Sequence, residues 1–267
     1  MKLYRHYLTK NNCYKLARKA TQKGILVHDT GAGNKKLARY IDNVELFGVN
    51  KYGNHWNQAK PSGKNVCVHA FIGEDKNGNV CTCETLPYEY SCFGCGSGTK
   101  GSYNYDPSSH IQFEICDDGY KSKDYFDKAF KEAVEYCAYL CKKFNFDPKK
   151  DIVSHKESHV LGYGSNHGDC DGWLKKFGYT MNDFRQWVYN EMYPAKQEPI
   201  AYTSLRFPAC KYTGVSIAAA LVSIGVNGSL ANRRKIAKAN GIKLYVGTTN
   251  QNIQMLNLLK TGKLIKP

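Results

Sequence analysis

The sequence predicts an α/β domain, with a mixed central β-sheet flanked by helices, followed by a small all-α helical module. Three observations carry that expectation. Short apolar runs of strand length recur between turn signals from residue 24 to residue 154. One long amphipathic stretch at helical spacing interrupts them. Beyond residue 210 only helical patterns remain, each with its own start and stop residues.

The strand-like runs occupy residues 24–28, 66–73, 80–86 and 110–116. Residues 74–79 join the second to the third, and Asn77-Gly78 marks a hairpin-type turn. Over 125–146, Phe126, Ala129, Phe130, Ala133, Cys137, Leu140, Cys141 and Phe144 recur at spacings of three and four. That spacing predicts a helix with one buried face, stopped by Asp147-Pro148. A short strand at 151–154 and a helix at 181–192 complete a first domain expected over 1–192. Pro194, Pro199 and Pro208 and the lack of any period predict a linker over 193–210. Three short helices at 215–224, 230–239 and 250–260 then form a domain expected over 211–267. Ser229 and Thr249 are their expected caps, and Gly225, Gly241 and Gly262 their stops.

Composition excludes several classes. With 42% apolar and 23% charged residues in 267, the chain is globular, neither fibrous nor disordered. Its longest apolar stretch, 215–226, is broken by serines and falls short of the ~20 residues of a membrane span. Residues 1–20 hold no continuous hydrophobic run, so the expectation is synthesis in the cytoplasm without a signal peptide. The eleven cysteines are accordingly expected as free thiols. Cys81, Cys83, Cys92 and Cys95 invite a zinc-ribbon reading, but the C-x-x-C spacing occurs only once and a ribbon needs two such knuckles. The charge, +15 overall, is uneven: residues 193–267 hold 11 basic residues and one acid, Glu198, a net of +10. A segment this basic points to a polyanionic partner. Nucleic acid is one such polymer, but no DNA-reading motif accompanies the charge.

Three of the eight histidines have unusual settings. His28 ends an apolar strand and opens into the loop Asp29-Thr30-Gly31-Ala32-Gly33-Asn34, and His155 follows the strand at 152–153. His167 and Asp169 lie in a glycine-rich loop, 162–169, which can aim both side chains one way. His155 and His159 form an H-x-x-x-H pair, yet Lys156 stands where a zincin protease needs Glu, and Gly162 and Gly164 soon follow.

Several stretches, in one order, resemble the zinc-dependent N-acetylmuramoyl-L-alanine amidases (amidase type 2, with the peptidoglycan-recognition proteins and phage endolysins). They are Ile25-Leu26-Val27-His28-Asp29-Thr30-Gly31-Ala32, Asn54-His55-Trp56-Asn57 and Val66-Cys67-Val68-His69-Ala70-Phe71-Ile72-Gly73. Glu84-Thr85-Leu86-Pro87, His110-Ile111-Gln112-Phe113-Glu114-Ile115-Cys116 and Ser165-Asn166-His167-Gly168-Asp169 follow. The resemblance spans about 170 residues and implies an amidase type 2 fold. It implies one zinc ion on His28, His155 and Asp169, with Asp169 standing where other relatives carry Cys. It also implies Glu114 as the residue that activates water, and His167, where many relatives have Lys, as the oxyanion stabiliser. His69, Asn34 and Trp56 are the implied substrate contacts. Two imidazoles and a carboxylate suit zinc, whereas calcium and magnesium take oxygen ligands throughout.

The expected function is peptidoglycan hydrolysis at the bond between N-acetylmuramic acid and L-alanine, in endolysin-type bacterial lysis. The runner-up is a non-catalytic peptidoglycan-recognition protein, which would keep the groove but lack a ligand. The basic tail also resembles C-terminal cell-wall-binding segments of phage lysins. Its charge suits an anionic wall polymer, and Tyr202, Tyr212 and Tyr245 are the expected platforms for sugar stacking. Nothing in the sequence addresses oligomeric state.

Overall fold

The computed structural model describes residues 1–194 and 206–267, and the chain divides into two units, Met1–Pro194 and Ala195–Pro267. In the first, the chain runs β1 (Leu3–Arg5), α1 (Asn12–Leu16), β2 (Ile25–Asp29), α2 (Val44–Phe47), β3 (Ala70–Glu74), β4 (Val80–Glu84) and β5 (Ile111–Ile115). It continues through α3 (Lys123–Phe144), β6 (Ile152–Ser154), α4 (His155–Leu161), α5 (Asp171–Lys176) and α6 (Met181–Met192). The strands form one sheet in the order β1-β4-β3-β5-β2-β6. Only β3 and β4 pair antiparallel, so the sheet is mixed, as the sequence predicts. Their turn is held by Asp75, whose Oδ1 accepts from the Asn77 and Asn79 amides at 2.8 and 3.0 Å, with Gly78 at φ +83°.

Ile25, Val27, Ile111, Phe113 and Ile115 line one face of the sheet and pack with Phe126, Ala129, Phe130, Ala133, Cys137 and Leu140 of α3. Trp173 of α5 and Phe184 of α6 complete this core, both fully buried. Each such side chain contributes roughly 1.5–3 kcal/mol by leaving water. Helix α3 begins where Ser122 Oγ accepts from the Tyr125 amide (3.2 Å) and ends at Asn145 in the left-handed region. Because side chains alternate along a strand, Leu26, His28, Gln112 and Glu114 turn to the opposite face. His28 and Glu114 are register partners across β2 and β5.

Several expectations shift. The strand expected over 66–73 narrows to β3, because Cys67 is drawn aside: it bridges to Phe93 and is disulfide-bonded to Cys13. The strand expected to Leu86 ends at Glu84, since the Thr85 and Leu86 amides both turn to the His69 carbonyl (2.7 and 3.3 Å). Strand β1 was not expected. The Cys13–Cys67 bond corrects the expectation of eleven free thiols; the two residues are 54 apart in sequence but 6.4 Å apart at Cα. The nine remaining cysteines are buried thiols. Cys81 and Cys83 pack in one apolar cluster, Cys92 in a second and Cys95 in a third, so they do not assemble a ribbon.

In the second unit, α7 (Ile217–Ser223), α8 (Leu230–Ala239) and α9 (Thr249–Lys260) enclose Ile217, Leu221, Ile236, Met255, Leu256 and Leu259. The Phe207 amide donates to the Leu264 carbonyl at 2.8 Å, tying the two ends of the unit together. Thr248, one residue before the expected Thr249, caps α9: its hydroxyl accepts from the Gln251 amide, and Gln251 returns a bond to the Thr248 amide. Tyr245 is 7% exposed, with its hydroxyl held by Arg233 and Asn252, so it is no stacking platform. Tyr212 packs partly buried against the same core. Of the expected linker, residues 195–205, with Pro199 and Tyr202, lie outside the described residues. Among the described residues no helix is long and apolar enough to cross a membrane.

Candidate metal centre

His28 is the second-to-last residue of β2, buried to 1% exposure. On the neighbouring strand Ser154 pairs with Val27, so the next residue, His155, emerges beside it. The chain turns into α4 there because Ser154 Oγ accepts from the Glu157 amide (3.1 Å) while Glu157 accepts from the Ser154 amide (3.0 Å). Arg185 clamps Glu157 with two bonds of 2.9 Å, fixing the start of the helix from the side.

Asp169 arrives on the loop between α4 and α5. Cys170, next to it, sits at φ +58°, and its amide donates to Asp29 Oδ2 at 2.7 Å. Tyr120 donates to the same oxygen at 2.8 Å. Burial pushes the Asp29 carboxyl up to about 6, against the pull of those two bonds. Asp29 thus ties the end of β2 to the loop that carries Asp169.

Three atoms converge. His28 Nδ1 lies 3.1 Å from His155 Nδ1 and 2.9 Å from Asp169 Oδ2, and His155 Nδ1 lies 3.1 Å from the same oxygen. Among the described residues this is the one cluster of three or more such side chains able to share a metal ion. Two ring nitrogens and an anionic oxygen meeting at one point form a donor set that fits zinc, a metal of N/S and carboxylate ligands.

Glu114 stands on β5 opposite His28, and its Oε2 is buried without a hydrogen-bond partner among the described residues. Burial, then the negative charges of Asp169, Asp29 and Asp117, push its carboxyl well above the ordinary range. His167 is exposed, its ring 4.7 Å from that of His155 and its Nδ1 3.0 Å from Ser165 Oγ.

The family model of N-acetylmuramoyl-L-alanine amidases (amidase type 2) matches residues 18–172, more than half of the chain. The protein belongs to that family, and it is an enzyme of it. Among solved structures, the Staphylococcus aureus hydrolase AmiA in complex with its ligand is 22% identical, with 72% of this chain and 84% of that chain covered and a TM-score of 0.48. The PlyG catalytic domain is 20% identical (72% and 96% covered, TM-score 0.49). A mutant endolysin from Bacillus subtilis is 19% identical (70% and 99% covered, TM-score 0.46). Comparison with curated proteins returns no match.

The other residues the sequence nominates have partners within the fold. His69 is fully buried: its Nδ1 accepts from the Gln112 amide (3.0 Å) and its Nε2 donates to the Tyr90 carbonyl (2.9 Å). Both ring nitrogens are spent, so His69 is a structural residue and not a substrate contact. Trp56 packs edge-on against Tyr40 and Phe71 at 5.8 and 5.0 Å, closing the core on that side of the sheet. Asn34 turns its Oδ1 back onto the Lys36 amide at 3.1 Å, shaping its own loop. Two residues that sequence reasoning missed touch the ligands directly. Gln112 lies 3.1 Å from His28 Nε2, and Ser165 lies 3.2 Å from His155 Nε2.

Proposed function

We propose that this amidase cleaves the amide between the lactyl group of N-acetylmuramic acid and the L-alanine of the peptidoglycan stem peptide, with one zinc ion on His28, His155 and Asp169. The convergence of two Nδ1 atoms and one carboxylate oxygen within 3.1 Å of one another, in a chain of this family, carries the reading. When bound there, zinc supplies Lewis acidity toward a carbonyl and lowers the pKa of water.

The chain's own residues do the rest. Glu114 takes a proton from the attacking water as its oxygen adds to the carbonyl carbon. The same carboxyl then protonates the departing alanine nitrogen as the C–N bond breaks. Its raised proton affinity suits both halves of that exchange. His167 donates a ring N–H to the oxygen that gains charge. It also lines a cleft of about 570 Å³ with Lys156, Lys175 and Asp171, and the two lysines suit the carboxylates of a stem peptide.

The second unit serves as the wall anchor, holding an anionic wall polymer. Residues 206–267 contain ten Lys and Arg residues and no Asp or Glu, which supports this role. Tethering to an insoluble substrate raises the effective concentration of the catalytic unit. The biological role that follows is endolysin-type lysis of bacteria. Mass spectrometry of digested peptidoglycan tests the chemistry: free stem peptides starting with L-alanine are expected, and stem peptides still joined to muramic acid would overturn it.

A further inference from the structure

We infer that Gln112 and Ser165 are the positioning residues of the metal centre, each fixing one histidine tautomer so that both Nδ1 lone pairs face Asp169. The inference rests on the metal reading above and follows from two hydrogen-bond chains that each end on a backbone carbonyl, a group that only accepts.

The first chain starts at the Tyr103 carbonyl, which lies 3.2 Å from Gln112 Nε2; Asn104 Oδ1 lies 3.0 Å from the same nitrogen. The amide nitrogen of Gln112 therefore points there, and its Oε1 points to His28 Nε2 at 3.1 Å. An amide oxygen only accepts, so His28 carries its proton on Nε2, and its Nδ1 presents a lone pair. The second chain starts at the Cys95 carbonyl, 2.9 Å from Ser165 Oγ. The one hydroxyl proton of Ser165 goes there, so its lone pairs must receive His155 Nε2–H at 3.2 Å and His167 Nδ1–H at 3.0 Å. His155 Nδ1 is then also a lone pair.

The outcome is three acceptors, two nitrogens and a carboxylate oxygen, facing one another. Such a set is stable around a cation and repulsive without one. Both chains rest on the segment 95–104, and Gln112 and Ser165 approach the two rings from different elements, so neither ring can turn its other nitrogen inward without losing a bond. Ser165 does a second thing: it commits His167 Nδ1, which leaves Nε2 as the atom that ring offers to substrate.

Zinc affinity of the full-length protein, measured by competition with a chromophoric chelator, tests this beside the ¹⁵N correlations of the histidine rings. Wild type should bind one zinc with His28 and His155 both as Nε2–H tautomers. Gln112→Leu and Ser165→Ala should each weaken zinc binding by about 10–100-fold. Ser165→Ala should in addition give His155 a mixture of tautomers in the metal-free protein, a change that loss of packing alone would not produce. Because Gln112 is buried, its variant is compared only if its circular dichroism matches wild type; Ser165→Ala, in a partly exposed loop, decides the matter by itself. Wild-type zinc affinity and a single His155 tautomer in Ser165→Ala would overturn the inference while leaving the metal site standing. A wild-type protein that binds no zinc, or binds it no better than His28→Ala, would overturn the metal reading and the inference with it.

Discussion

In the proposed reaction Glu114 and His167 carry separate duties, and single substitutions separate them. Glu114→Gln keeps the shape but loses the proton exchange, so kcat should fall by roughly 10²–10⁴ with zinc content unchanged. His167→Ala should lower kcat by roughly 10²–10³, and His167→Lys should restore part of that loss. His69 makes a different point. Burial lowers the pKa of His69 and of His110 to about 4, so both are neutral in the fold and take up protons below 6.5 once unfolded. Their stabilisation is therefore complete above pH 6.5 and is lost as pH falls toward 4, on the order of 3 kcal/mol each. Asp29, raised to about 6, works in the opposite sense, its share being lost as pH rises through that value. Comparing wild type with His69→Gln isolates one group: the slope of unfolding free energy between pH 4 and 6.5 should drop by about one proton, and an unchanged slope would contradict the assignment. The same residues show what sequence can reveal. His28 and His155 end strands and Asp169 sits in a glycine-rich loop, settings visible in one dimension. The Tyr90 carbonyl that takes one nitrogen of His69, and the Tyr103 and Asn104 oxygens that orient Gln112, come from segments with no period, so neither role was legible.

At the scale of elements, His155, a proposed metal ligand, depends on a helix start. Ser154→Ala removes the cap of α4 and should cost about 1 kcal/mol, read by thermal melting, with weaker zinc binding as its second sign. The Cys13–Cys67 bond closes a long loop, and replacing both residues by Ala should cost about 2–4 kcal/mol while leaving zinc affinity as it is. Helices α3, α6 and α8 were legible to within two residues, because a 3.6-residue period and a Ser or Thr cap are both local signals. Strand β1 was not, since Leu3-Tyr4-Arg5 has no period of its own and becomes a strand only by pairing with the edge of β4. The disulfide was illegible for the same reason: 54 residues separate two cysteines that only the folded chain brings together.

In the whole molecule, chemistry is proposed for one unit and wall attachment for the other. Arg234, Lys235 and Lys238 are exposed on α8, in a unit with no acidic side chain among residues 206–267 to pair with them. Replacing the three by Gln in the full chain should weaken sedimentation with purified cell walls and flatten its salt dependence, while cleavage of a small soluble muropeptide stays the same. Charge asymmetry was visible in the sequence, as was the order of motifs from His28 to Asp169; which tyrosines remain exposed was not, because burial of Tyr245 depends on Arg233 and Asn252. The proposed reaction depends on a single metal held by two imidazoles and a carboxylate, and a zinc titration of the metal-free full-length protein is its decisive test. Amide cleavage should rise linearly and break at one equivalent of zinc, with no rise in His28→Ala. Full activity before zinc is added, or a break at another stoichiometry, would contradict it.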